Sequence, residues 1–230
     1  MWQVCWNLFQ HTCSFFGNKD MMIKKYLRII LAVIALCCLP FNSFAATSAK
    51  DLWVNMPDSI APYLNRKLRL ECADLYEMGA KAEVRNLLKG MSKIDTLSAN
   101  YLQVQLNEAC SLQLGVLPRT EGDSVICLVK TFAGSEKESS VQLYSMQWQL
   151  LQTMSFSFDS FVQKPDTMSA QRYEEILASV DHYFFEAKLE PQSQCLLVQV
   201  NTAWNFTDED KALRALLLQR KYKWDGKIFK

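Results

Sequence analysis

The chain has 230 residues, of which 25 are lysine or arginine and 24 are aspartate or glutamate, so its formal net charge at pH 7 is +1. This balance excludes a large surface field of one sign, and nucleic acid is therefore not an expected partner. Only seven glycines occur and none forms a phosphate-binding loop, which excludes the common nucleotide-binding motifs.

The first predicted element is a cleavable secretory leader at residues 21–45. Three cations open it, an unbroken apolar run of eleven residues extends from Ile29 to Leu39, and residues 43–45 (Ser-Phe-Ala) offer the small residues that signal peptidase reads. A membrane-spanning helix needs about 20 apolar residues, so this run is too short to remain as an anchor. The sequence predicts export, cleavage near Ala45 and no stable membrane span afterwards.

Residues 1–20 do not fit such a leader, because signal peptides begin with their charged segment and this preface is apolar and aromatic. We expect an over-extended, unstructured start, with translation beginning at Met21 or Met22. The working protein is then a single exported domain at residues 46–230, which is long enough to enclose its own core.

The first element of this domain is a predicted helix from Met56 to about Gly79. Pro57 and the polar residues after it suit a helix start, apolar residues then recur at spacings of three and four, and Gly79 is a typical stop. The apolar stripe consists of Leu68, Cys72, Leu75 and Tyr76.

Strands follow, because the apolar period changes to two. Residues 100–107 and 110–117 alternate apolar and polar side chains, whereas residues 124–132 (SVICLVKTF) are apolar on both faces and predict a central strand. Residues 141–148 (VQLYSMQW) form a further strand. Turn residues separate these segments, so the sequence predicts an antiparallel meander of sequential hairpins.

The last part of the chain adds a helix from about Ser169 to Val180, a hairpin over residues 182–204, a short helix from Thr207, and a closing hairpin with its turn at Asp225-Gly226. The predicted fold class is α+β, mostly antiparallel sheet, with an N-terminal helix and short later helices. A loose likeness between residues 124–151 and 194–229 leaves open two related halves, at about 56–160 and 165–230, although the pattern common to all β-hairpins is the favoured explanation.

No catalytic residue, metal ligand set or cofactor site is predicted. His182 is the only histidine after the leader and opens a strand on its more polar face, so a surface imidazole is expected. The cysteines after the leader are too widely spaced for a zinc cage and are expected as buried free thiols. A turn centred near residues 120–121 would place Cys110 opposite residue 131 and Cys127 opposite residue 114, so these two should not bond. The four cysteines are Cys72, Cys110, Cys127 and Cys195.

Two residue sets could have a binding or modification role. An aromatic sugar-binding surface is one alternative to ordinary core or edge packing for Tyr144, Trp148, Trp204 and Trp224. Four triplets of aspartate, a hydroxyl residue and an aliphatic residue or methionine resemble the O-glycosylation acceptor of exported Bacteroidales proteins, although Asp-Ser and Asp-Thr also suit turns. Their hydroxyl residues are Ser59, Thr96, Ser124 and Thr167.

Several stretches together resemble one family, the small exported Bacteroidales proteins that carry a domain of unknown function. They are MPDSIAPYLNRKLRLECADLYEMGAKAEV, YLQVQLNEACSLQLGVLP, SVICLVKTFAGSEKESSVQLYSMQWQLL and YKWDGKIF, so the resemblance covers nearly all of residues 56–229. It implies an α+β domain and export from a Gram-negative cell, and it brings no reaction, cofactor or site residue.

The functional hypothesis is a non-enzymatic periplasmic or cell-envelope protein that binds an envelope protein or a glycan. The rivals are a glycan-directed hydrolase and a carbohydrate-binding module. A hydrolase needs two buried carboxylates that face each other near Trp148 or Trp204. An unpaired strand edge or an exposed apolar patch would instead favour protein binding.

Overall fold

The computed structural model describes residues 47–202 and 208–230, so the predicted preface, leader and cleavage site lie outside the described residues. The helices are α1 (Ala49–Asn55), α2 (Arg66–Glu77), α3 (Ala170–Ala178) and α4 (Asp208–Leu216), with a 3-10 turn at Phe158–Phe161. The strands are β1 (Glu83–Arg85), β2 (Met91–Leu97), β3 (Tyr101–Asn107), β4 (Cys110–Pro118), β5 (Ser124–Ala133), β6 (Lys137–Ser145), β7 (Leu150–Thr153), β8 (Tyr183–Glu190), β9 (Cys195–Thr202) and β10 (Arg220–Lys223).

These strands form two antiparallel sheets. The larger sheet contains β1 to β7 in chain order, and the smaller sheet has the order β10-β9-β8. Because neighbours in the larger sheet are also neighbours in sequence, every connection within it is a hairpin. The predicted α+β fold dominated by antiparallel sheet is confirmed.

The larger sheet is buried on both faces at its centre. Leu112 and Leu114 of β4 belong to a core shared with α1 and α2, whereas Leu117 of β4 and Cys127 of β5 belong to a core shared with the smaller sheet. The continuous apolar pattern of β5 is explained by this arrangement, since a strand covered on both faces has no polar side to present.

The smaller sheet approaches the larger one through the edge of β8. The main-chain N–H of Leu189 donates to Gln113 Oε1 over 3.0 Å, and that of Ala187 donates to Ser139 Oγ over 3.0 Å. A Cβ placed on Gly115 would collide with the side chain of Leu189. The sequence therefore uses a glycine to allow the approach and two polar side chains to satisfy an otherwise open strand edge.

The predicted helix from Met56 to Gly79 is wrong over its first ten residues. Helix α2 begins only at Arg66, where the side chain of Asn65 caps it by accepting a hydrogen bond from Leu68 N over 3.0 Å. A separate helix, α1, precedes it and begins with a capping box at Ser48.

A buried arginine explains the interruption. Arg69 is 1% exposed, and its guanidinium donates to the carbonyls of Val54, Met56 and Leu64 as well as to the carboxylate of Asp58. These carbonyls accept from a side chain and not from helical N–H groups, so the segment between the two helices is held as a loop.

Two further predictions differ from the structure in detail. The strand predicted to reach Trp148 ends at Ser145, and Trp148 lies in the turn to β7 with a φ of 64°. The hairpin of β4 and β5 is shifted by one residue, so that Cys110 lies opposite Phe132 and Cys127 opposite Gly115. Five residues, 119–123, form that turn, and its centre is therefore Glu121. The four described cysteines are free and buried.

Candidate interaction site

The residues considered for catalysis do not converge. His182 is exposed. Across residues 47–202 and 208–230, no group of three or more His, Cys, Asp or Glu side chains is arranged to hold a metal ion. None of the buried polar residues identified there is a carboxylate; they are Arg69, Asn86, Ser92, Gln113 and Thr202. The facing buried carboxylates that a glycosidase needs are thus not found in the described residues.

The aromatic residues considered for sugar binding lie in two different cores. The rings of Tyr144 and Trp148 are 5.6 Å apart and belong to the core on the helical side of the larger sheet. Trp224 lies in the core between the sheets, where its Nε1 donates to the carbonyl of Pro118 over 2.6 Å. Trp204 lies outside the described residues. The three described rings share no common face, and two of them are buried.

The hydroxyl residues of the four triplets lie at the surface. Ser59 and Thr167 are exposed in turns, Thr96 is exposed where the pairing of β2 with β3 shifts by a residue, and Ser124 is half-buried at the start of β5. Three of the four hydroxyls are thus fully accessible, and their modification stays a prediction.

The feature that sequence reasoning missed is the turn between β1 and β2 together with the first residue of β2, residues 86–91, which we call the leucine loop. Its side chains include Leu87, Leu88 and Met91, which are 56%, 67% and 51% exposed. The segment reads Asn-Leu-Leu-Lys-Gly-Met, and the Asn and Gly that bracket the pair are turn residues. The signal that could have revealed the loop is a leucine pair at a position where turns normally carry polar side chains.

A buried asparagine holds the leucine loop. Asn86 Oδ1 accepts from the main-chain N–H groups of Leu88 and Gly90, both over 3.0 Å. Asn86 Nδ2 donates to Ser92 Oγ and to the carbonyl of Leu106, both over 3.2 Å. One side chain therefore satisfies two loop amides and ties the loop to β3.

The main chain of the loop is also fixed from outside. The N–H of Leu87 donates to the carbonyl of Tyr63 over 2.9 Å, which joins the loop to the segment between α1 and α2. Lys89 adopts a φ of 67°, a left-handed conformation that a single tight turn requires. The apolar side chains thus project from a backbone with a defined shape.

Two cations lie in or next to the loop. Arg85 directly precedes it and Lys89 lies within it; both are exposed, and neither makes an ion pair with any other described residue. Lys93, further along β2, is engaged by Asp95 over 2.8 Å. The leucine loop is therefore an apolar protrusion that also carries positive charge.

A polar groove lies beside β8. It encloses about 510 Å³ and includes Gln103, Gln105 and Gln113 of the larger sheet. Its amides are largely satisfied within the protein: Gln113 Nε2 donates to the hydroxyl of Tyr101 over 2.7 Å, and that hydroxyl donates to Gln103 Oε1 over 3.0 Å. Few unsatisfied groups remain in the groove to select a ligand.

Glu186 borders this groove and joins three strands. Burial acts to raise the pKa of its carboxyl, but hydrogen bonds from Asn201, Lys137 and Gln199 outweigh burial and hold the pKa below its ordinary value. The Lys137 Nζ lies 3.1 Å from the carboxylate. Glu186 is thus a charged, fully partnered group with a structural role.

Comparisons with known proteins give a family and a fold. A solved structure described as a domain of an uncharacterized protein from Porphyromonas gingivalis W83 is similar with a TM-score of 0.60 and 23% identity, and covers 77% of this chain and 95% of that one. No curated protein matches the chain. None of the described helices has the length and apolarity needed to cross a membrane. A family model described as "Protein of unknown function (DUF3256)" matches residues 41–229, and the chain therefore belongs to the DUF3256 family.

Proposed function

We propose that the protein is a non-enzymatic interaction protein of the periplasm or cell envelope of a Gram-negative bacterium, and that the leucine loop is its contact with a partner protein. The observation that carries this proposal is the exposure of Leu87 and Leu88 on a backbone fixed by the buried side chain of Asn86.

A rigid apolar protrusion is well suited to binding. Single exposed leucines are common on protein surfaces and by themselves indicate nothing. Here two adjacent leucines and a methionine are exposed together, and their backbone is ordered before any partner arrives. Binding then loses little conformational entropy, which is the main cost that flexible loops incur. A few side chains that fill pockets of the partner supply most of the affinity of protein interfaces, and a leucine contributes there through the apolar area that it buries.

The cellular location rests on the leader. Residues 21–45 have the charged, apolar and small-residue segments of a secretory signal in the required order. The region matched by the family model begins at residue 41, close to the predicted cleavage site. Amino-terminal sequencing of the protein from its own host tests this part: we expect a start near Ala46, whereas a start at Met1 would refute export by this leader.

Capture from envelope extract tests the loop. Wild-type protein and the double variant Leu87→Ser/Leu88→Ser would be cross-linked in extract and their partners identified by mass spectrometry. Because both side chains are exposed, the variant should keep its stability within about 0.5 kcal/mol. We expect it to lose the partner that wild type captures.

The control variant is Met78→Ser, which removes an exposed apolar side chain at the end of α2. It should capture the same partner as wild type. Equal capture by the double variant and wild type would assign binding to another surface and overturn the role of the loop.

Binding of a neutral glycan is the alternative that the sequence left open, and the groove beside β8 is the place to test it, although most amides of that groove are already hydrogen-bonded within the protein. Calorimetry with neutral oligosaccharides, on wild type and on Gln105→Leu, addresses it. Binding that is lost in Gln105→Leu and kept in the loop variant would favour the glycan. Absence of binding by wild type would exclude the tested sugars.

A further inference from the structure

A shallow pocket lies where the closing hairpin, residues 223–230, meets the turn between β4 and β5. It encloses about 620 Å³, and its lining comes from segments that are far apart in sequence: residues 118–120, Gln194, residues 223–226 and Lys230. A pocket of this size accommodates a small molecule and not merely a single ion. We call it the hairpin pocket.

Hydrogen bonds between these segments fix the walls of the hairpin pocket. The main-chain N–H of Trp224 donates to the carbonyl of Gln194 over 2.9 Å, and its Nε1 donates to the carbonyl of Pro118 over 2.6 Å. The main-chain N–H of Thr120 donates to the carbonyl of Gly226 over 3.3 Å, and a Cβ on that glycine would lie 2.6 Å from the threonine side chain. The pocket therefore has its shape before a ligand arrives, which keeps the entropic cost of binding low.

The hairpin pocket presents donors that the described part of the protein does not use. The Lys223 ammonium makes no ion pair with any other described residue, and the Gln194 amide and Thr120 hydroxyl make no side-chain hydrogen bond with one. Arg119 Nη1 lies 3.6 Å from Asp123 Oδ2, which is long for a charge-assisted hydrogen bond. The groove beside β8 differs, because its amides are largely bonded within the protein.

The single acid among the described residues that line the hairpin pocket is bound by its own hairpin. Asp225 Oδ1 accepts from the main-chain N–H groups of Ile228 over 2.9 Å and Lys227 over 2.8 Å, and its Oδ2 lies 2.5 Å from Lys230 Nζ. These bonds, that from Ile228 foremost, hold the pKa of the Asp225 carboxyl below its ordinary value. The charge of Asp225 is thus compensated, and the lining cations are left to attract an anion.

Gln194 occupies a backbone position that its turn does not explain. Its φ is 51°, in the left-handed region that residues with a side chain seldom adopt. Glycine or asparagine would serve such a turn position at less cost. Strained positions of this kind are concentrated at ligand sites, where the side chain has a use.

We propose that the hairpin pocket binds an acidic sugar, a small carbohydrate that carries a phosphate or a carboxylate. The oxyanion lies between Lys223 and Arg119, whose planar guanidinium matches the geometry of both groups. Gln194 and Thr120 bind the hydroxyl groups of the sugar. This inference is independent of the leucine loop and of the proposed function.

Calorimetry at low ionic strength with glucose 1-phosphate, glucuronate and glucose tests the proposal. We expect the wild type to bind at least one of the two acidic sugars, and to bind glucose about tenfold more weakly or not at all. The two acidic sugars show which oxyanion fits. Lys223→Gln and Arg119→Gln should each weaken binding about tenfold, because each removes a charge-assisted hydrogen bond.

The matched control is Lys227→Gln, which removes the same charge from the same hairpin at an exposed lysine outside the pocket. It should bind as the wild type does. Nuclear magnetic resonance supplies a second readout: the main-chain N–H signals of residues 119, 120 and 194 and the indole N–H signal of Trp224 should shift during the titration. No binding of either acidic sugar at about 10 mM, glucose binding as tightly as they do, or equal weakening by Lys227→Gln and Lys223→Gln would overturn the proposal.

Discussion

At the scale of single residues, burial decides the chemistry of the cysteines. Burial raises the pKa of the Cys127 thiol to about 12 and that of Cys72 to about 11, and it raises the pKa of Cys110 as well. Thiolates are the reactive form, and these thiols remain protonated at neutral pH. These thiols are therefore protected by burial alone, without a metal or a bridge.

We expect iodoacetamide at pH 8 to leave Cys72, Cys110, Cys127 and Cys195 unlabelled in the folded protein. All four should react after unfolding in guanidinium chloride, because unfolding exposes every thiol and also restores the ordinary pKa of Cys72, Cys110 and Cys127. Peptide mapping by mass spectrometry distinguishes these sites from cysteines of the preface and leader. Labelling of Cys127 without denaturant would contradict the burial described here.

Asn86 is the residue on which the leucine loop depends most. Asn86→Ala removes the acceptor for two loop amides and the donor to the carbonyl of Leu106. Unpaired buried groups cost about 1–3 kcal/mol each, so we expect a loss of about 2 kcal/mol in the free energy of unfolding. Urea titration measures it. Asn86→Asp keeps the acceptor oxygens but turns a buried carboxylate toward the carbonyl of Leu106, so it should not restore the stability; an unchanged free energy of unfolding in Asn86→Ala would show that the fold does not depend on these bonds.

At the scale of elements, Gly115 sets the spacing between the two sheets. An added methyl group would collide with Leu189, which is buried and cannot move freely. Overpacking of this kind costs about 1–3 kcal/mol, and we expect Gly115→Ala to lower the free energy of unfolding by that amount. Thermal or urea unfolding measures the change.

The matched control is Gly134→Ala. A Cβ at Gly134 meets only the carbonyl oxygen of Glu136, at 3.7 Å, which is an ordinary contact. This variant should be close to wild type in stability. If the two alanine variants were equally stable, the close approach of β8 to β4 would be refuted.

Glu186 links the smaller sheet to β6, and its titration gives a pH dependence. The pKa of Glu186 is lower in the folded protein than in the unfolded chain, because Asn201 and Lys137 bind the charged form despite its partial burial. The resulting stability is present above the unfolded pKa of about 4.3 and is lost as pH falls through the folded value.

We expect the melting temperature of the wild type to fall between pH 6 and pH 3 by more than that of Glu186→Gln. The glutamine cannot titrate, so the difference between the two proteins should shrink toward acid pH. Differential scanning fluorimetry across this range measures it. A difference that is constant with pH would show that the charge of Glu186 contributes nothing.

At the scale of the whole molecule, the sequence pattern predicted most of the sheet. The alternation of apolar and polar residues located β3, β4, β8 and β9, and the continuous apolar run in β5 identified a central strand. Both predictions succeeded because burial of one or both faces of a strand determines which of its residues are apolar. The start of α2 was misplaced since the carbonyls bound by Arg69 come from positions that only the folded chain brings together.

The leucine loop and the short edge strands were not predicted for a related reason. β1 and β7 have three and four residues, too few for a period to be recognised. In the sequence alone, the two adjacent leucines of the leucine loop resemble core residues. The structure shows that Asn86 is buried and fixes the loop, and that the leucines beside it are exposed. Whether a tryptophan packs in a core or lines a binding surface depends on residues that are distant in sequence. Trp224, for example, is hydrogen-bonded to the carbonyl of Pro118.

Ser139 and Gln113, which bind the open edge of β8, couple the unfolding of the two sheets. If the smaller sheet lifted away, the amides of Ala187 and Leu189 would lose Ser139 and Gln113 at the same moment as the apolar layer was wetted. Partial opening thus forfeits both kinds of stabilisation at once, and the three-stranded unit melts with the main body in one cooperative event.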